Sequence, residues 1–125
     1  MKKILVTGGA GFIGSHLVEQ LLNIGHKVIV LDNLNTGKLE NLENIKNNKN
    51  FTFIKSDIRD LNLISPHFLN VENVFHLAAL AEIVPSIENP SDYYSTNVTG
   101  TFNVLEFCRK NNIKKIIYAA SSSCY

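Results

Sequence analysis

Val6-Thr7-Gly8-Gly9-Ala10-Gly11-Phe12-Ile13-Gly14 decides the fold because of what stands on either side of it. Before it, Lys3-Ile4-Leu5-Val6 is short and almost continuously apolar, as a strand buried on both faces should be. After it, Ile13, Leu17, Leu21 and Ile24 recur at helical spacing with Leu22 beside them. Gly25 then stands where a helix end favours a left-handed residue. Lys27-Val28-Ile29-Val30-Leu31 supplies a second β-branched strand and closes on Asp32. The unit is therefore strand, glycine turn, helix, strand, acid. The glycines satisfy G-x-G-x-x-G from Gly9, and Gly8, Gly11 and Gly14 also form a series three apart. In this setting they permit a tight turn and a close approach of backbone N–H groups to a pyrophosphate, at the positive end of the helix that follows.

Asp32 gives the turn its ligand preference. A carboxylate at the tip of the second strand, about 20 residues past the glycines, can accept hydrogen bonds from both hydroxyls of an adenosine ribose. It would repel a 2′-phosphate there. The reading is a dinucleotide site for NAD rather than NADP, against the plainer alternative that Asp32 only starts the turn after it.

The chain has 125 residues, a 45% hydrophobic fraction and a formal net charge of +1, enough for one core and one domain. With no basic excess, nucleic acid is not expected as a partner. Cys108 and Cys124 are too few for a disulfide framework and lack metal-ligand spacing, which favours a reducing, cytoplasmic setting and no metal. The apolar run after Met1-Lys2-Lys3 is broken at Thr7-Gly8-Gly9, too early for a signal peptide, and no segment is long enough to span a membrane.

Beyond Asp32, Asn33-Leu34-Asn35-Thr36-Gly37 is turn chemistry, and Leu39, Leu42 and Ile45 suggest a short helix over Lys38 to Ile45. Phe51 to Lys55 reads as a third strand, with a weak helix after Asp60 that Pro66 limits. Asn73 to Leu77 is a fourth strand. A long helix is predicted from Ser91, as N-cap, to Asn111, with Val98, Phe102, Leu105 and Cys108 or Arg109 on successive turns. Gly100 inside it costs about 1 kcal/mol of helix propensity unless close packing compensates. Lys115 to Ala120 is the fifth strand. Alternating strands and helices imply an α/β fold, a Rossmann-type doubly wound parallel sheet whose first five strands are present, with ligands beyond the carboxyl ends of the strands. His76 reads as a satisfied core histidine rather than a catalyst.

Several segments in register resemble the extended short-chain dehydrogenase/reductases, specifically the nucleotide-sugar epimerase/dehydratase family: Thr7 to Leu17, Leu31-Asp32-Asn33-Leu34, Ser56-Asp57-Ile58-Arg59-Asp60, His76-Leu77-Ala78-Ala79, and Tyr94 to Thr101. The resemblance covers the whole chain. It implies that Gly8, Gly11, Gly14 and the backbone of Phe12 and Ile13 hold the pyrophosphate of NAD. Asp32, Asn33, Asn35, Thr36 and Gly37 would line the adenosine ribose, and Asp57 and Ile58 would bracket the adenine. Leu77, Ala78, Ala79, Leu80, Ala81 and Thr96 would stand near the nicotinamide. Small residues such as Ala78 and Ala79 suit ordinary core packing equally well.

By the same resemblance Ser121 takes the place of the family's catalytic serine or threonine, its hydroxyl directed at the sugar 4-oxygen. Ser86, Ser122 and Ser123 fall on the substrate side, although Pro85-Ser86 is as easily a turn or a helix start. Related dehydratases carry an acid and a base, Asp-Glu, where this chain has Ser122 and Ser123. That favours 4-epimerisation of a UDP-sugar, UDP-glucose or UDP-N-acetylglucosamine, by transient C4 oxidation with NAD.

The family continues past this point with a Tyr-x-x-x-Lys pair, needed to lower the tyrosine pKa, and a sugar-nucleotide domain. Tyr93, Tyr94 and Tyr118 have no lysine four residues on, and Tyr125 is the last residue given. The expectation is an N-terminal NAD-binding domain over residues 1–125, inactive alone, with an open fifth strand that weakens its folding. A non-catalytic NAD-binding module and a dehydratase or decarboxylase of the same family are the alternatives. A homodimer through the helix from Ser91 to Asn111 is also implied.

Overall fold

The computed structural model describes residues 1–124. Its centre is strand β1 (Lys3–Thr7), buried along nearly its whole length because it is paired on both edges. Helix α1 (Phe12–Asn23) returns the chain to β2 (Lys27–Asp32), and a loop with a single 3-10 turn at Leu39–Leu42 leads to β3 (Phe51–Lys55). Short helix α2 (Leu61–Ile64) and a 3-10 turn at Ser65–Phe68 cross to β4 (Asn73–His76). Helices α3 (Ile83–Glu88), α4 (Pro90–Tyr94) and α5 (Thr101–Lys110) then precede β5 (Lys115–Tyr118). The sheet is wholly parallel in the order β3-β2-β1-β4-β5. The order reverses between β1 and β4, where a doubly wound sheet opens its crevice.

Alternation along the central strands splits the core in two. Ile4, Val6, Val28 and Val30 face Val18, Leu21 and Leu22 of α1, whereas Leu5, Ile29, Leu31 and Val74 face Ile64, Phe68, Val104 and Cys108. Every strand and the first helix stand where the sequence pattern puts them, to within two residues.

The helical faces differ from expectation. On α1 the buried residues are Gly14, Ser15, Val18, Leu21 and Leu22, while Ile13 and Ile24 are 72% and 61% exposed. Small residues at the first turn bring the helix axis close to β1, and that rotates the apolar stripe away from Ile13. The predicted helix over Lys38 to Ile45 is reduced to its 3-10 turn, because Asn44 and the asparagines after it favour turns. The long helix begins at Pro90, one residue before Ser91, with proline in the first turn where its missing N–H costs nothing. It then widens into a π-helical segment, Ser95–Gly100, before α5. The buried side of this stretch is Thr96, Gly100, Asn103, Val104 and Cys108, and Val98, Phe102 and Leu105 face outward.

Gly100 sits there for packing. A Cβ on it would lie 2.6 Å from the Ile58 side chain, so close contact offsets the propensity cost. None of the described helices is long and apolar enough to cross a membrane.

Candidate functional site

The glycine turn occupies the mouth of the β1/β4 crevice. Gly8 has φ +73°, donates its N–H to the Leu31 carbonyl at 2.8 Å, and leaves no room for a side chain, since a Cβ would stand 2.8 Å from the Ala78 nitrogen. Gly14 is tighter still, with a Cβ placed 2.3 Å from the Gly8 oxygen. Gly11 differs from both. A Cβ there meets nothing nearer than the Gly8 oxygen at 3.4 Å, because Gly11 faces the cleft. Two of the three glycines in the series therefore serve packing, and the third keeps open space at the start of α1.

That helix start is bare. Gly11 is the N-cap with no side-chain bond, and the first intrahelical bond is Ser15 N–H to the Gly11 carbonyl at 2.9 Å. The amides of Phe12, Ile13 and Gly14 precede that bond, as helix geometry requires. An anion at this point would meet N–H donors and the positive end of the helix dipole.

Asp32 lies beside the turn, only 8% exposed. One carboxylate oxygen accepts the Ala10 N–H at 2.9 Å and the other the Leu34 N–H at 2.8 Å. Two of roughly four acceptor positions remain for ligand hydroxyls. The Ala10 carbonyl is gripped in turn by the Lys38 N–H at 3.0 Å and by Asn41 Nδ2 at 2.8 Å. Asp32 and Asn41 together clamp the glycine turn to the loop after β2, a role of Asn41 that no local sequence signal announces.

The cleft is a narrow crevice with a cavity volume of about 120 Å³. It is lined by Gly8, Gly11, Asp32, Asn33, Asn35, Thr36, Gly37, Asp57, Ile58, Leu77, Ala78, Ala79, Leu80 and Thr96, all expected from the sequence. Leu31 and Ser56 complete it, each next to an expected residue. Phe12, Ile13 and Gly14 stand at the adjoining helix start, Phe12 and Ile13 with exposed side chains. Ala81 lines a shallower depression shared with Asn35, Thr36 and Leu80.

At the far end Asp57 is already engaged. Its Oδ1 accepts the Arg59 backbone N–H at 2.9 Å and Nε at 3.0 Å, and its Oδ2 accepts Arg59 Nη2 at 2.8 Å and Asn33 Nδ2 at 3.1 Å. The Arg59 side chain above all holds this carboxyl at about 2, against a smaller opposing push from burial. With four donors on it, Asp57 has no acceptor position left, so a base lodged here would be read by backbone. Arg59 also donates through Nη1 to Ser95 Oγ at 3.1 Å, tying the loop after β3 to the π-helical segment.

The opposite wall is fixed by side chains from neighbouring elements. Asn97 accepts the Leu80 N–H at 2.9 Å and donates to the Leu80 carbonyl at 2.8 Å, and Asn103 Nδ2 donates to the Ile58 carbonyl at 3.0 Å. His76 is 2% exposed and bonded at both ring nitrogens, with burial pushing its pKa down to about 4. That environment is the satisfied core histidine expected from the sequence.

The serines lie apart from this cleft. Ser121 follows β5, its Oγ 2.5 Å from Ser123 Oγ and accepting the Ser123 N–H at 3.1 Å. A second depression, lined by Leu77, Ala78, Ala79, Asn97, Tyr118 and Ala119, runs from the cleft wall toward the end of β5. Ser86 is exposed on α3, its hydroxyl donating to the Ile83 carbonyl of its own helix. Among the described residues no His, Cys, Asp and Glu cluster could hold a metal ion. Tyr125 lies outside the described residues.

Comparison with known proteins places this architecture. A family model described as GDP-mannose 4,6 dehydratase matches residues 5–125. The chain belongs to that family. This bears out the resemblance to nucleotide-sugar epimerases and dehydratases. It is 47% identical over 119 residues to a putative UDP-glucose 4-epimerase of Methanocaldococcus jannaschii, covering 94% of the chain and 37% of that protein. Among solved structures it matches a UDP-N-acetylglucosamine 4-epimerase from Methanobrevibacter ruminantium, in complex with UDP-N-acetylmuramic acid, with a TM-score of 0.92 and 43% identity over 99% of the chain and 39% of that one. A UDP-glucose 4-epimerase from Thermus thermophilus in complex with NAD aligns with a TM-score of 0.86 and 42% identity, covering 95% of the chain and 37% of that one. The family member described here thus spans about 37% of the length of the first of these relatives.

Proposed function

We propose that the crevice between β1 and β4 binds NAD and that this chain is the dinucleotide-binding part, residues 1–125, of a UDP-sugar 4-epimerase. The observation that carries the reading is the combination at one strand end: a glycine turn with empty space only at Gly11, a bare helix start, and Asp32 with two acceptor positions free. These residues fit a dinucleotide. Amides of Phe12, Ile13 and Gly14 would take the pyrophosphate. Asp32 would take the ribose hydroxyls and repel a 2′-phosphate, with Asn33, Asn35, Thr36 and Gly37 beside it. The backbone of Asp57 and Ile58 would flank the adenine, and Leu77 to Ala81 with Thr96 would wall the nicotinamide end.

NAD, when bound, supplies a reversible oxidant for a sugar carbon. The chain's own contribution to the chemistry would be Ser121, a hydroxyl at the end of β5 able to hydrogen-bond a sugar oxygen as charge develops on it. Ser122 and Ser123 hold neither an acid nor a base, which favours epimerisation over loss of water despite the dehydratase description of the family. UDP-glucose and UDP-N-acetylglucosamine are the substrates this reading assigns to the whole enzyme. Residues 1–125 carry no Tyr-x-x-x-Lys pair, and the reading gives them cofactor binding without turnover. A cytoplasmic site of action and pairing of two copies through the exposed Tyr94, Val98, Phe102 and Leu105 complete it.

Titration calorimetry of this chain with NAD and with NADP tests the proposal. Saturable NAD binding, with NADP weaker by about tenfold or more through the charge conflict at Asp32, is the expected result. Equal affinity for the two would overturn the ribose assignment, and no binding of either would overturn the site.

A further inference from the structure

His76 is buried, titratable and unused by the chemistry above, yet it joins three elements that build the cleft. Its Nδ1 lies 2.7 Å from Thr7 Oγ1 at the end of β1, and its Nε2 lies 2.8 Å from Thr101 Oγ1 at the start of α5. Thr7 Oγ1 also accepts the N–H of Leu77 and of Ala78, each at 3.1 Å. A hydroxyl oxygen has two acceptor positions and one hydrogen. The Ala78 amide takes one position and the Leu77 amide, shared with the Thr7 carbonyl at 3.1 Å, takes the other, which directs the hydrogen of Thr7 to His76 Nδ1 as the acceptor. The ring carries its proton on Nε2 and donates to Thr101.

The consequence reaches the cleft. Leu77 and Ala78 line it, and the Ala78 nitrogen is the atom that a Cβ on Gly8 would meet at 2.8 Å. Any outward turn of these amides therefore moves the wall lying against the glycine turn. We propose that His76 is a positioning residue of the dinucleotide cleft: as the neutral Nε2–H tautomer it orients the Thr7 hydroxyl, and so holds the Leu77 and Ala78 amides and the cleft wall against Gly8. This rests on the NAD reading only for its effect on affinity. The tautomer and the amide restraint stand independently of any ligand.

Long-range nitrogen NMR of the whole chain near neutral pH reads the tautomer, and a protonated Nε2 with an unprotonated Nδ1 is expected. Two substitutions then separate the ring's two ends. His76→Asn puts an amide oxygen where Nδ1 accepts from Thr7, whereas His76→Gln reaches only toward Thr101. Amide hydrogen exchange at Ala78 should stay near the native rate in His76→Asn and rise about fivefold or more in His76→Gln, the loss corresponding to one hydrogen bond. NAD affinity should follow the same order, as it should for Thr7→Ser, which keeps the hydroxyl, over Thr7→Val, which removes it. An Nδ1–H tautomer, or equal exchange in the Asn and Gln variants, overturns the proposal. If the native chain fails to bind NAD while the tautomer and exchange results hold, the cofactor reading falls and the positioning role of His76 stands.

Discussion

Acidification should destabilise this fold through one buried ring. An ordinary histidine titrates near 6.5, and burial lowers His76 to about 4. Between those values the unfolded chain holds a proton at this position that the native chain does not. Stability is therefore fully present above pH 6.5, falls as pH drops toward 4, and levels off below it, where both states are protonated. At 1.36 kcal/mol per unit the gap is worth about 3 kcal/mol, of which about 2 kcal/mol is gone by pH 4.5. Against the 5–15 kcal/mol that holds a typical domain, that is a large fraction. Burial is the cause, since the charged ring would lose its water, and a proton arriving at Nδ1 would in addition face the hydrogen of Thr7. Urea unfolding followed by circular dichroism, at intervals from neutral pH down to pH 4.5, measures it. His76→Asn is the control because it has nothing to titrate there. The native chain should lose about 2 kcal/mol more than this variant across the range, whatever their difference at neutral pH. Parallel pH slopes would refute the reasoning, by showing that the native ring accepts its proton as readily as the unfolded one.

The glycine turn offers a paired test: Gly14→Ala, which presses a Cβ against the Gly8 oxygen, should lose about 2 kcal/mol or more in chemical denaturation. Gly11→Ala should unfold within about 0.5 kcal/mol of the native chain yet bind NAD about tenfold more weakly by calorimetry, because its Cβ enters the cleft rather than the fold. Burial raises the Cys108 thiol to about 11, so peptide mapping after iodoacetamide at pH 8 should find Cys108 unmodified in the native chain and modified in urea. The Asp57 carboxyl, held at about 2 chiefly by Arg59, should keep its stabilising contribution above the ordinary carboxylate value of 3.8 and lose it only as pH falls from there toward 2. Carbon NMR of that carboxyl follows the titration, and Arg59→Leu should return it toward 3.8, with an unchanged midpoint counting against the clamp.

The strands, the glycine turn and the lining of the cleft were legible because their signals are local: a run of β-branched residues, glycines at fixed offsets, an acid at a strand tip. Helical faces were not, and α1 shows why. Periodicity of apolar residues points to Ile13 and Ile24, but the sheet is approached through Gly14, Ser15 and Val18, and small residues carry no weight in a hydrophobic pattern. The π-helical Ser95–Gly100 segment adds a residue to the turn and shifts the buried face, which leaves Val98, Phe102 and Leu105 outside.

The clamps around the cleft were illegible for a deeper reason. Its walls are loops, and loop backbone has no ladder partner for its N–H and C=O groups. Asn41 on Ala10, Thr7 on Ala78, Asn97 on Leu80 and Asn103 on Ile58 each supply one from a distant part of the chain. Such residues look like ordinary turn or helix polar groups in sequence. Only the fold shows that each ends on a wall of the same crevice. A ligand entering it would therefore meet walls already braced by bonds of about 1 kcal/mol each. Replacing Asn41 or Asn97 should accordingly lower cofactor affinity without either side chain touching the ligand, and an unchanged affinity in both would mean that the loops hold their shape without them.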